Sequence, residues 1–386
     1  MAKTLMICGA SVRAAAVSAA RAGFRVVACD LFSDLDLREV SQCRRIQSAE
    51  YPQSLPDIAD QLPPADNWLY TGGLENHPRI VAAISQRIPL VGTGATALRS
   101  LRDPFRLGHV LALDGVDFPE SRRCPDQLPS DGSWIRKPLR SCGGIGMAAW
   151  HGDGDGKARP AAVYFQRRVA GLSCSAAFVA ATTGVRLLGA TRQILASLPA
   201  PGYRRRFRYV GSAGPLTIEP WLNDWLRRLG TILAGQFGLV GLFGVDFLLD
   251  RVSERACVVE VNPRYTASME IIERTCGLNM IQQHMAACRR DTASGNCTPT
   301  APDDLWWKRV LYAKADFRVT SALIERALGQ RDESSGLPLC ADIPNAGTEI
   351  RAGHPVMTVF ARGRSAAELC QSIRQIVNSV DPRGFG

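Results

Sequence analysis

Two apolar stretches, Gly244-Val-Asp-Phe-Leu-Leu-Asp250 and Val258-Val-Glu-Val-Asn-Pro-Arg264, each present oxygen-bearing side chains from within strand-like sequence. An Asp on one strand and a Glu-x-Asn on the next supply the hard oxygen ligands that Mg2+ or Mn2+ prefers, leaving the remaining coordination to phosphate and water. Asp246, Glu260 and Asn262 are therefore candidate metal ligands. Arg264 lies two residues beyond Asn262, on the same face of an extended strand, where its guanidinium would meet a transferring phosphate or a carboxylate bidentately. Two buried strands that merely end in polar residues would look the same in isolation.

A second cluster lies roughly 110 to 125 residues upstream of these carboxylates. The strand-like Trp134-Ile-Arg-Lys-Pro138 runs into a turn that contains Ser141, Gly143, Gly144 and Gly146. Glycines let backbone N–H groups converge on an anion, and Lys137 adds a point charge for an α- or β-phosphate. A lone glycine-rich loop is a weak signal; paired at this distance with an Asp and a Glu-x-Asn it is much stronger. Between the clusters, Val163 to Gly171 reads as a strand entering a turn. An adenine ring could lie there and bond to the backbone around Arg168 and Val169, although a plain hairpin leaves the same trace.

The elements that must position these residues follow from periodicity. Residues 4 to 9 read as a buried strand, 11 to 22 as an Ala-rich helix and 24 to 30 as a second strand. A third strand at 68 to 70 ends in Thr71-Gly72-Gly73, and a short fourth is expected near 89 to 92, making a small parallel α/β lobe. Gly9 and Asp30 invite a nicotinamide reading, but Gly9-Ala-Ser11-Val-Arg13 lacks the second and third glycines that admit a pyrophosphate, so both are read as turn and strand-end residues. A helix is expected from Leu98 to Leu113, and another from Glu219 to Gly238 whose Trp221, Leu222, Trp225, Leu226 and Leu229 recur at core spacing. Residues 291 to 303 read as a linker; 348 to 362 as two short strands joined at Gly353-His354-Pro355; 365 to 379 as a closing helix.

Composition limits the remaining choices. A chain of 386 residues with 46% hydrophobic and 21% charged residues suits two or three packed lobes. No apolar run reaches the ~20 residues that span a bilayer, and the first residues do not form a secretory signal, so a cytoplasmic protein without membrane attachment is expected. The twelve cysteines are scattered singly, with no Cys-x-x-Cys pair, as buried free thiols would be. The formal charge of +10 is spread along the chain apart from Arg204-Arg-Arg-Phe-Arg208, and suits small polyanionic substrates; no nucleic-acid motif is present.

Taken in order, these pieces resemble the ATP-grasp superfamily, and most closely its biotin carboxylase-like branch. The resemblance implies a mixed α/β and α+β chain: a Rossmann-like pre-ATP-grasp domain over 1–97, a helical linker over 98–125, a two-lobed ATP-grasp domain over 126–290 and a small C-terminal lobe over 303–386. Thr71-Gly-Gly-Leu-Glu-Asn76 and Pro89-Leu-Val-Gly92 look like that branch's glycine turn and the short strand after it. By the same resemblance Lys137 and the Ser141 to Gly146 loop match the phosphate lysine and flexible loop, and Gln166 to Gly171, with Gln166, Arg168 and Val169, the adenine hinge. Asp246, Glu260 and Asn262 match the metal ligands and Arg264 the active-site arginine. ATP and Mg2+ (or Mn2+) are the implied cofactors, and a homodimer is common among relatives, though nothing in this sequence shows one.

The chain also departs from the pattern. The usual Asp-Lys pair before the linker reads Asp103-Pro104, with Arg102 or Arg106 as the substitute cation. The Glu that deprotonates bicarbonate in biotin carboxylases, four residues after the arginine, aligns with Ser268, and no biotin-attachment sequence occurs. The activity these features imply is a carboxylate–amine ligase: a substrate carboxylate attacks the γ-phosphate of ATP to give an acyl phosphate, which an amine then intercepts. Glu270 or Glu273 could serve as general base or as salt-bridge partners, and the arginines of Tyr203 to Gly214 would suit an acidic substrate or form a solvated loop. A carboxylase acting through carboxyphosphate and a non-catalytic nucleotide-binding protein are the alternatives.

Overall fold

Short apolar runs separated by Ala-rich and polar segments over the first hundred residues fold into parallel strands covered by helices. In the computed structural model, which describes residues 2–152, 162–196, 207–289 and 304–381, this lobe consists of β1 (Thr4–Cys8), α1 (Arg13–Arg21), β2 (Arg25–Asp30), α2 (Leu35–Val40), β3 (Ser41–Arg45), α3 (Leu55–Gln61), β4 (Asn67–Tyr70) and α4 (Pro78–Ser85). The strands pair in parallel in the order β3-β2-β1-β4. Strand β3, Ser-Gln-Cys-Arg-Arg, was not expected: it is a polar edge strand with no apolar alternation to betray it. The strand expected near 89 to 92 reduces to a single bridge between Trp68 and Leu90.

The single helix expected from Leu98 to Leu113 is instead two, α5 (Ala95–Leu101) and α6 (Pro104–Leu113). The Asp103 side chain accepts from the N–H of Phe105 at 2.9 Å and of Arg106 at 3.4 Å, and Pro104 takes the first helical position, where a missing N–H costs nothing. Arg102 thereby becomes the C-terminal cap of α5.

A small antiparallel sheet follows, built from β5 (Ser121–Arg122), β6 (Trp134–Pro138), β7 (Ala148–Ala149) and β8 (Val163–Arg167) in the order β5-β8-β6-β7. The remaining elements are β9 (Leu172–Ala181), β10 (Gly184–Leu195), β11 (Tyr209–Gly214), α7 (Pro220–Phe237), β12 (Gly241–Asp250), β13 (Arg255–Asn262), α8 (Met269–Cys276), α9 (Met280–Cys288), β14 (Leu305–Tyr312), β15 (Phe317–Arg318), α10 (Ser321–Leu328), β16 (Cys340–Ala341), β17 (Glu349–Ile350), β18 (Pro355–Gly363) and α11 (Ala366–Val380). One antiparallel sheet of eight strands runs β13-β12-β9-β10-β11-β14-β18-β16, so strands from the end of the chain extend the sheet that carries the candidate metal ligands. The two strands expected to meet at Gly353-His354-Pro355 do not form a hairpin: β17 pairs with β15 in a separate ribbon, while β18 lies between β14 and β16. The expected linker over 291–303 and Arg204 to Arg206 lie outside the described residues.

Alternation sorts the strand residues between the two faces of this sheet. Cys174, Ala176, Phe178 and Ala180 on β9, with Phe243, Val245, Phe247 and Leu249 on β12, pack beneath α7, whereas Ala177, Val179 and Leu242 face α1 and α9. Phe178 and Phe243 stack with ring centroids 4.9 Å apart. Helix α7 buries Leu222, Leu226, Leu229, Leu233 and Phe237 on this face; each such side chain contributes about 1.5–3 kcal/mol of transfer free energy. Gly230 admits the close approach, since a Cβ there would lie 2.9 Å from the Phe178 ring. Among the described residues every cysteine is a free thiol.

Candidate functional site

Strand pairing brings the two carboxylates together. Asp246 stands opposite Glu260 across β12 and β13, and opposite Ser175 on β9 at its other side. The register shifts beside this pair: Asp246 faces Glu260 while Phe247 faces Val258, which leaves Val259 as the extra residue of a β-bulge. Val258 consequently points into the core under α7, while Glu260 and Val259 line the site. Asn262 donates its Nδ2 to Asp246 Oδ2 at 3.3 Å, and its Oδ1 accepts from Arg264 Nη2 at 3.2 Å.

The electrostatics fit a cation. Burial, reinforced by the charge of Glu260, pushes Asp246 up to about 6 against hydrogen bonds from Ser175 and Gln193. Burial works in the same sense on Glu260, but Arg102, Lys137 and Arg264 outweigh it and hold that carboxyl below its usual range. Two facing carboxylates and an amide are hard oxygen donors, and a divalent ion would relieve their repulsion. No cluster of three or more His, Cys, Asp and Glu occurs among the described residues, so an ion here would complete its shell with the amide, phosphate and water. Ligation through Asn262 calls for its oxygen, now held by Arg264, to turn toward Asp246.

Lys137 is buried at the end of β6 and donates to Gln166 Oε1 at 2.9 Å, so two of the expected residues hold one another across β6 and β8. Gly143, Gly144 and Gly146 have φ of 60°, 75° and 77°, in the left-handed region, and a Cβ on Gly144 would lie 2.0 Å from the Phe207 carbonyl oxygen. The Ser141 carbonyl accepts from Asn76 Nδ2 at 3.1 Å and from Arg102 Nη2 at 3.2 Å, which fastens the loop to the first lobe and to α5. At the hinge, the N–H of Arg168 already donates to the Ser133 carbonyl at 2.8 Å. Among the described residues the N–H of Val169 has no backbone acceptor, so it is the hinge donor open to a base.

One cavity of about 360 Å³ joins these pieces, within the range of small-molecule sites. Lys137, Gly143, Gly144, Gln166, Arg168, Val169, Asp246, Glu260, Asn262 and Arg264 all line it. Ser141 lines an adjoining pocket of about 50 Å³ with Lys137, Arg102 and Glu260, while Gly146 lines neither.

Two further residues belong to the site. Glu75, completely buried at the first lobe's glycine turn, accepts from Arg264 Nη2 at 2.7 Å; the Glu-Asn after Gly72-Gly73 was its only sequence signal. Arg102 donates to Glu260 Oε1 at 2.6 Å, whereas Arg106 is exposed, so of these two arginines it is Arg102 that meets the candidate metal carboxylate. Ser268 joins Thr266 at 2.9 Å and Ser175 at 3.3 Å in a chain of buried hydroxyls on the cavity wall.

Glu270 and Glu273 are not bases of this cavity. Glu270 is clamped by Arg13 and by Lys308, 2.7 Å away, and although burial opposes ionisation these cations hold its carboxyl far below the usual range. Glu273 accepts from Ser18, from Tyr265 at 2.8 Å and from the Met280 N–H at 2.7 Å. Both fasten α8 to its neighbours and neither lines the cavity. Of the basic run, Phe207 and Tyr209 line the cavity, while Arg208 stacks on Tyr312 at 3.5 Å and donates to the Gly353 carbonyl.

Comparison with known proteins bears on the fold. Residues 102–268 match the model of the ATP-grasp domain. The fold is similar to that of a carboxyaminoimidazole ribonucleotide synthase from Aspergillus clavatus solved with ATP (TM-score 0.71, 14% identity, 99% of each chain covered). It is also similar to the biotin carboxylase domain of a Hydrogenobacter thermophilus 2-oxoglutarate carboxylase (TM-score 0.70, 11% identity, 100% of this chain and 90% of that one), and to a biotin carboxylase from Campylobacter jejuni (TM-score 0.65, 13% identity, 98% and 91%). No curated protein sequence matches the chain. Among the described residues no helix is long and apolar enough to cross a membrane.

Proposed function

Residues 102–268 are an ATP-grasp domain, set in a chain with the fold of the biotin carboxylase-like branch, and from that premise we propose that the protein is an ADP-forming carboxylate–amine ligase. The observation that supports this reading is the convergence of Lys137, the glycine loop, Gln166, Asp246, Glu260, Asn262 and Arg264 on one cavity. On this reading residues 1–97 are the pre-ATP-grasp domain, 98–125 the helical linker, 126–290 the nucleotide-binding domain and 303–386 the C-terminal lobe.

Each residue has a task that its surroundings permit. The Val169 N–H at the hinge would read the base of ATP, and the Gly143 and Gly144 backbone with Lys137 would hold its phosphates. Asp246, Glu260 and Asn262 would hold Mg2+ or Mn2+, which when bound supplies charge neutralisation on the phosphoryl oxygens. Arg264, aimed by Glu75, steadies the transferred phosphoryl group and the substrate carboxylate that attacks it. A carboxylate oxygen bonds to the γ-phosphorus and the bond to ADP breaks; the amine then adds to the acyl carbon, loses a proton and expels phosphate. With Ser268 where a carboxylase places its glutamate, the buried Ser175, Thr266 and Ser268 hydroxyls offer neutral hydrogen bonds and no strong base. The cavity has the size of a small-molecule site, and on the ligase reading its occupants besides ATP are a small carboxylate and a small amine.

The test is ADP release with Mg2+ and ATP across pooled carboxylates and amines, with bicarbonate as a separate arm, alongside Glu260→Gln. Turnover that needs one carboxylate and one amine and is lost in the variant is the expected result. Turnover with bicarbonate alone would transfer the reading to a carboxylase, and nucleotide binding without turnover in any pool to a regulatory binder.

A further inference from the structure

The position of Arg102 reaches beyond the substitution of one cation for another. α5 ends at Leu101 and the Asp103 cap and Pro104 start α6, leaving Arg102 at the break between the helices with its guanidinium on the site. There it makes two contacts of different kinds. Its Nη1 lies 2.6 Å from Glu260 Oε1, the carboxylate that the proposed metal needs, and its Nη2 lies 3.2 Å from the Ser141 carbonyl in the glycine loop. Its Nε is buried and has no partner among the described residues. Lys137, which lines the same pocket, is held instead by Gln166.

Resting on the ligase reading above, we infer that Arg102 is a built-in counter-ion that occupies Glu260 until nucleotide arrives, so that metal binding at Glu260 depends on nucleotide. A divalent ion entering alone must displace a guanidinium left with the Ser141 carbonyl, water and the longer-range pull of Glu75, a carboxylate already paired with Arg264. A polyphosphate entering with the ion gives Arg102 an acceptor that its planar fork fits bidentately. Mg2+ or Mn2+ then takes the carboxylate that Arg102 vacates, and the departing guanidinium is paired rather than stranded. A lysine reaching in from the first turn of the next helix would contact phosphate without guarding the metal carboxylate; an arginine at the end of α5 does both.

The experiment is a titration of the full-length protein with Mn2+, free ion read by electron paramagnetic resonance, with and without a non-hydrolysable ATP analogue. Wild type, Arg102→Ala, Arg102→Lys, Glu260→Gln and the Arg102→Ala/Glu260→Gln double variant are compared, each checked by circular dichroism. In the wild type the analogue is expected to tighten Mn2+ by about tenfold or more, within the usual range of coupling. Arg102→Ala should bind Mn2+ alone more tightly than wild type and lose most of that coupling, with Arg102→Lys intermediate. The gain should vanish when Glu260 is already Gln, as a double-mutant cycle requires of directly interacting groups. Unchanged affinity for Mn2+ alone in Arg102→Ala, with coupling intact, would overturn the inference while leaving the ligase reading in place. Mn2+ binding that ignores Glu260→Gln in every state would overturn both.

Discussion

Glu75→Gln isolates the one fully buried charge that pairs with Arg264, the arginine proposed to be catalytic. The Glu75 side chain is 0% exposed and that of Arg264 12%, and they meet at 2.7 Å. Removing one partner of a buried pair costs about 3–5 kcal/mol when nothing replaces it. Glutamine keeps a hydrogen-bond acceptor at nearly the same place, so only the charge is lost, and about 2–3 kcal/mol is expected. At about 2.1 cal/mol/K of unfolding entropy per residue, a chain of this length gains about 0.8 kcal/mol for each degree, so the melting temperature should fall by about 3 °C. Arg264 is also held less firmly, so kcat should drop while KM for ATP changes little if, as proposed, the arginine acts on the transferred group rather than on the base or the α-phosphate. Differential scanning fluorimetry and initial-rate kinetics read the two effects. A melting temperature within about 1 °C of wild type, with an unchanged kcat, would refute the proposal that this pair positions Arg264 for catalysis.

Two more outcomes follow from local geometry. His284 is buried and neutral, its Nδ1 accepting from the Leu242 N–H at 2.8 Å and its Nε2 donating to the Val91 carbonyl at 3.1 Å, and burial pulls its pKa down to about 4. A folded pKa below the unfolded value contributes stability that is present above the unfolded pKa and lost as pH falls, so wild type should lose about 2 kcal/mol between about pH 7.5 and 5 that His284→Gln does not, measured by urea denaturation at each pH. Gly144→Val must move the Phe207 carbonyl and force a β-branched residue to φ 75°, so nucleotide affinity should fall by about tenfold or more in a calorimetric titration. Gly143→Ala, whose Cβ meets nothing within 4 Å, should lose less; equal losses would show that the loop tolerates no side chain at all, whatever the contact.

Much of the fold was legible because its elements are strongly patterned. The β1-α1-β2 opening, the apolar stripe of α7 and the strands β12 and β13 follow from burial on one or two faces, which selects apolar residues at helical or strand spacing. Strand β3 was missed because a polar edge strand owes its place to backbone pairing, which leaves no mark on side chains. The break between α5 and α6 is encoded in Asp103-Pro104, a cap and a first-turn proline whose signal is local and is easily overridden by the apolar spacing on either side.

By itself, the sequence determined which chemistries this protein can offer: two carboxylates and an amide for a hard cation, a glycine loop with a lysine for phosphates, and an arginine beyond them. Their convergence was a tertiary decision. Simple alternation puts Val258, Glu260 and Asn262 on one face, yet the bulge at Val259 sends Val258 into the core and keeps Glu260 opposite Asp246. Partners such as Glu75 for Arg264 and Arg102 for Glu260 lie 189 and 158 residues apart in the chain. Glu270 is kept from being a base by Arg13, 257 residues away, and Lys308, 38 residues away, which offset its charge. A charge's role depends on which opposite charge it meets within a few ångströms, because Coulomb attraction and desolvation act through space and take no account of sequence separation.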